Sequence, residues 1–199
     1  MLVYHLDRSD PSVTGGCLFF SPDGIHFTYS GIHLPTQDAE CLWYDPLHER
    51  YSAFLKDRYG ENRIRMVMHS RDCLEWSEPS ILFKPDAGDN KGTNFYQQSA
   101  FTMSDRCLGF LNVFDVTTQM SWIELVESPD GVSWHRFPSR PAVLKPGDFG
   151  TLDGGGVYNG LGEPIVDGDR TWVHYMAAPH PHDSGFSEKA KHLKQCVAR

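Results

Sequence analysis

Cysteine pairing is the first thing this chain lacks. Cys17, Cys41, Cys73, Cys107 and Cys196 are odd in number, widely spaced and form no CxxC pair. That spacing excludes a zinc ribbon, a redox dithiol and a dense disulfide framework, and reads as free thiols in a reducing compartment. No apolar run approaches the length of a membrane span. The opening MLVYHLDRSDPS has no basic region followed by an apolar one, so no secretory leader is expected; the reading is cytoplasmic, with no membrane partner. Helical periodicity is absent as well. Basic charge is scarce, with 18 Lys and Arg against 26 Asp and Glu, a formal net charge of −8. An acidic surface repels a phosphate backbone, so nucleic acid is not an expected partner. The one basic cluster, Lys189, Lys191, Lys194 and Arg199, reads as a solvated face.

What is present is apolar, aromatic and repetitive. Apolar residues make up 40% and charged residues 22%, as in ordinary globular chains. Aromatic residues reach 13%; such rings pack strands and also serve as flat platforms for sugars. Three segments share one spacing: Ser21-Pro22-Asp23-Gly24-Ile25-His26-Phe27, Ser70-Arg71-Asp72-Cys73-Leu74-Glu75-Trp76 and Ser128-Pro129-Asp130-Gly131-Val132-Ser133-Trp134. The shared form is Ser-x-Asp-Gly-x-x-aromatic, with Cys73 in place of glycine once. Ser and Asp side chains close a turn onto backbone amides one or two residues ahead. Glycine supplies the positive φ such a turn needs. Each copy therefore predicts a hairpin between the last two strands of a sheet, with the aromatic opening the final strand.

Between the copies lie further strand pairs. Cys41–Tyr44 and Arg50–Leu55 flank the Asp45-Pro46-Leu47-His48-Glu49 turn, and Arg63–Met68 alternates as a half-buried strand should. The order recurs with Gln98–Met103, Cys107–Phe114 and Trp122–Val126. A third unit begins at Gly155–Tyr158 and continues through Pro164–Val166 and Arg170–Tyr175. Units of roughly 45 to 58 residues with four strands each fit β-propeller blades. The expected architecture is all-β, a single domain over 1–199 with blades at 1–37, 38–90, 91–148 and 149–199. About two blades are complete and two partial, so the ring does not close. Open blade edges predict self-association.

At these motifs the sequence resembles the five-bladed glycoside hydrolases, the superfamily of invertase-like family 32 and arabinanase-like family 43. Asp38 to Pro46 followed by Arg50-Tyr51 resembles a blade opening of that group. His69 to Pro79 and Glu127 to Trp134 resemble its blade ends. Leu152 to Tyr158 and Val166 to Tyr175 resemble a later blade. The resemblance implies hydrolysis of glycosidic bonds in an oligo- or polysaccharide by paired carboxylates at the central face. The carboxylates it brings forward are Asp38 and Asp153, each at the opening of an innermost strand, and Glu163 beside Pro164. Asp45, Asp72 and Asp130 read as turn formers. The family's Trp-Met-Asn-Asp-Pro-Asn-Gly pattern is missing. No cofactor or metal is implied.

Three other readings stay open. One is an inactive truncated paralogue. A non-catalytic glycan-binding propeller would use Trp43, Tyr96, Tyr158 and Trp172 to stack on sugars. A metal site at His174, His180, His182 and Asp183 is suggested by their proximity but fits no standard zinc spacing. The sialidase Asp-box, Ser-x-Asp-x-Gly-x-Thr-Trp, is one residue longer than the copies here.

Overall fold

Strand after strand in this chain turns back on its predecessor, and the turns are built where the repeat places them. The computed structural model describes residues 1–7, 9–10, 14–159, 163–182 and 196–198. The first sheet runs β1 (Leu2–His5), β2 (Gly15–Phe20) and β3 (Thr28–Leu34). The second is β4 (Cys41–Asp45), β5 (Arg50–Tyr59), β6 (Asn62–Ser70) and β7 (Ser80–Phe83). The third is β8 (Thr93–Met103), β9 (Arg106–Asp115) and β10 (Met120–Ser128), with β11 (His135–Arg136) and β12 (Ala142–Leu144) both pairing β10. All three are antiparallel meanders whose first strand lies at one edge.

The fourth region departs from the expected order. β13 (Gly156–Asn159) pairs β16 (Tyr175–Ala178), which pairs β17 (Cys196–Ala198). The intervening β14 (Ile165–Asp167) and β15 (Arg170–Trp172) form a separate hairpin. The run expected as one strand, Arg170 to Tyr175, is broken at Val173 and His174. β1 is likewise a strand that the repeat did not reveal.

The three Ser-x-Asp hairpins share one set of bonds. Asp23 Oδ1 accepts from the Ser21 hydroxyl and the amides of Ile25 and His26 at 2.8–2.9 Å. Asp72 and Asp130 do the same for their own serines and for residues two and three ahead. Position four is left-handed in every copy, with φ of 74° at Gly24, 61° at Cys73 and 68° at Gly131. Cys73 adopts it without glycine's freedom, held by its amide's 2.8 Å bond to Ser70 Oγ.

Packing joins the sheets face to face. Leu18, Leu34, Ala53, Leu55 and Met68 fill the space between the first and second sheets. Trp43, Phe54, Val67, Phe95, Leu111, Val113 and Trp134 fill that between the second and third. Phe101, Phe110, Ile123 and Val157 join the third to the fourth. Each such side chain contributes roughly 1.5–3 kcal/mol by leaving water. Polar ties cross the same seams. The buried Arg65 donates to the carbonyls of Tyr96 at 3.0 Å and Ala39 at 3.1 Å, and burial pulls its pKa down to about 9. Arg50 on β5 donates to the Asp130 carbonyl of the next sheet's hairpin. Arg136 holds Asp89 and Glu124, each at 2.8 Å, in a nearly buried cluster. Among the described residues the sheets form an open arc, and no helix is long and apolar enough to cross a membrane.

Candidate functional site

The first strands of the second and fourth sheets, β4 and β13, both pack against β8, the first strand of the third. On β8 the register shifts between Phe95 and Gln97, leaving Tyr96 at a bulge. A bulge re-aims one side chain out of the alternation. The Tyr96 ring lies 6.3 Å from that of Tyr158 on β13 and 5.3 Å from Phe114, edge to face in both cases. Its hydroxyl meets His182 Nε2 at 2.7 Å, and the His182 amide is tied to the Gln119 carbonyl.

Two cations sit against the same tyrosine. Lys56 Nζ lies 4.7 Å and the Arg63 guanidinium 5.2 Å from the Tyr96 centroid. Lys56 is almost wholly buried and ion-paired with Asp38, which is largely exposed. Burial comes first, then the guanidiniums of Arg63, Arg65 and Arg58; together they pull the Lys56 ammonium down to about 7.

Asp153 lies elsewhere, in the turn before β13. The Thr151 hydroxyl donates to it at 2.9 Å and the Tyr175 hydroxyl at 3.4 Å. Gly155, beside it, packs so closely on the His180 backbone that a side chain there has no room. Glu163 is exposed and lines a cavity of about 360 Å³ with Met1, Leu2, Glu40, Ser99 and Ala100 among its neighbours. The structure therefore links Asp38 to the tyrosines, Asp153 to Tyr175, and Glu163 to Glu40.

Of the four aromatics singled out as sugar platforms, Tyr96 and Tyr158 come together. Trp172 is half-buried on β15, opposite Ile165. Trp43 is only 3% exposed, stacked on Phe54 and edge-on to Trp134, so it belongs to the core between two sheets. Of the histidine group, His182 is taken up by Tyr96, and Asp183 lies outside the described residues. A different trio does converge: His48 Nδ1 sits 2.7 Å and Cys107 Sγ 3.7 Å from Asp45 Oδ2. Burial first, and the Asp45 charge second, push the Cys107 thiol up to about 12, so it is a neutral donor there. Asp45 also accepts the Leu47 amide at 3.0 Å, as a turn former does.

Sequence reasoning missed Glu40, Lys56 and Arg63. Glu40 immediately precedes β4, and its Oε2 is buried with no hydrogen-bond partner among the described residues. Burial raises its carboxyl pKa. The available signal was a charged residue set within an apolar strand, as Lys56 is after Phe54-Leu55.

No family model and no curated protein matches the sequence. Solved structures do match its fold. A glycosyl hydrolase from Bacteroides ovatus superposes with a TM-score of 0.65 at 12% identity, over 98% of this chain and 61% of that one. β-1,2-Mannobiose phosphorylase from Listeria innocua, in complex with β-1,2-mannobiose, gives 0.61 at 15%, over 92% and 48%. Sucrose-6-phosphate hydrolase from Lactobacillus gasseri gives 0.56 at 14%, over 88% and 36%. The fold is that of the β-propeller glycoside hydrolases, present as an open part of the ring. The chain spans about half the length of these neighbours.

Proposed function

We propose that the chain acts on a glycan at the inside of the arc, cleaving a glycosidic bond with paired carboxylates. The observation that carries this reading is the cavity shared by Glu40 and Glu163. Glycoside hydrolysis needs one carboxyl protonated and one ionised at the same pH. Glu40, desolvated and raised, has the environment of a proton donor, and the exposed Glu163 that of a base or nucleophile. Asp38, ion-paired with Lys56 beside Tyr96, serves to hold substrate hydroxyls there. The mannobiose bound by the Listeria innocua enzyme supports a carbohydrate as the ligand class.

The test is a hydrolysis screen of the chain on oligosaccharides of varied sugar and linkage. Active substrate should give a bell-shaped kcat/KM profile, and Glu40→Gln should abolish its alkaline limb while lowering the rate about 10²-fold or more. Linkage gives an independent readout. The folded-state pKa of Glu40 lies above the unfolded value, so its stabilising protonation is complete below the unfolded pKa and lost as pH rises through the folded one. Glu40→Gln should therefore gain stability relative to the native chain on the alkaline side only. Binding without cleavage across the panel would favour the second reading, a glycan-binding module resting on Tyr96 and Tyr158.

A further inference from the structure

We propose that Lys56 and Arg63, gathered on the face of Tyr96, form a subsite for a phosphate-class oxyanion. The chain carries a net charge of −8, yet this corner of it is positive. Lys56, Arg63 and Arg65 converge from β5 and β6, with Arg58 close by. Arg65 spends its bonds on two carbonyls. Arg63 lies against Tyr96 and Phe114, and among the described residues no carboxylate pairs with it. Its backbone amide is fixed by Asn94 Oδ1 at 2.7 Å, which anchors the strand beneath the guanidinium. Asp38, mostly turned to solvent, pairs with Lys56, and Glu40 offsets Arg65.

Like charges this close repel unless an anion or a ring face compensates them. The Tyr96 ring supplies part of that compensation through its negative face. His182 fixes the ring by bonding its hydroxyl. What remains is a half-exposed guanidinium fork beside a buried ammonium, the donor combination that suits a tetrahedral oxyanion. Burial above all, and the neighbouring guanidiniums after it, pull the Lys56 ammonium down to about 7.

The subsite does not depend on whether a glycosidic bond is cut, because its readout is binding alone. Isothermal titration of the full chain with inorganic phosphate, and separately with a hexose phosphate, is the experiment. Saturable binding is expected with one or both. Arg63→Gln should weaken it at least tenfold, and Asp38→Asn should tighten it several-fold by removing the competing carboxylate. Binding of inorganic phosphate would make free phosphate the occupant. Binding of the hexose phosphate alone would place the anion on the sugar. The Asp38→Asn arm keeps the test sharp should Arg63→Gln fold poorly, since destabilisation does not tighten a ligand. Absence of binding to either probe, or binding that neither substitution alters, would overturn the proposal.

Discussion

The Ser21 and Ser128 hairpins have the same local chemistry and different fates. Both fold their aspartate onto two amides and a serine, and both hold that carboxyl well below the usual range through hydrogen bonds. In the Ser128 copy, Trp134 is only 5% exposed, edge-on to Trp43 and Phe54 of the preceding sheet. Gly131 lies against Asp45 and its Asp130 carbonyl takes the Arg50 guanidinium. In the Ser21 copy, Phe27 is partly exposed, Ile25 is 77% exposed and Gly24 meets open space. The turn is thus a local invention, and the seam between sheets is what makes it structural.

Three pairs of substitutions probe the contrast. Trp134→Ala should have the largest effect, about 3–5 kcal/mol lost in chemical denaturation, as for other large core aromatics; Phe27→Ala should lose far less. Equal losses would mean that the first sheet's hairpin is covered after all. Gly131→Ala comes next. Gly24→Ala should cost about 1–2 kcal/mol from the left-handed backbone alone. Gly131→Ala adds the clash with Asp45 and so should exceed it by a measurable fall in Tm. The smallest expected effect is in pH dependence. Both aspartates are depressed in the folded state, so the stability they lend is present above the unfolded carboxylate pKa and disappears as pH falls through the folded value. Asp130→Asn should flatten the acid limb of a Tm–pH curve more than Asp23→Asn, because water screens the fully exposed Asp23.

The hairpins were legible because every interaction that forms them lies within six residues. Strand existence was legible for the same reason: β6 contains the expected Arg63–Met68 run. Direction was not. Trp43 and Tyr96 both sit on innermost strands, and nothing within either strand says that one faces the next sheet while a bulge turns the other inward. The break at Val173 and His174 was hidden because an apolar run reads alike whether one strand or two share it. Lys56 and Arg63 owe their meaning to Tyr96, more than thirty residues away, and Glu40 owes its meaning to a cavity that four separate segments enclose. Site residues defined by what they meet across sheets leave little trace in local sequence.

Burial also sets the reactivity of the thiols. Desolvation pushes Cys41 and Cys73 up to about 11 and Cys107 to about 12. Since only the thiolate attacks, about one molecule in ten thousand or fewer is reactive at each position at neutral pH. The three side chains are chemically silent while the sheets stay packed and become ordinary nucleophiles once they part. Alkylation followed at Cys107 therefore measures how often the joint that holds the second and third sheets together opens.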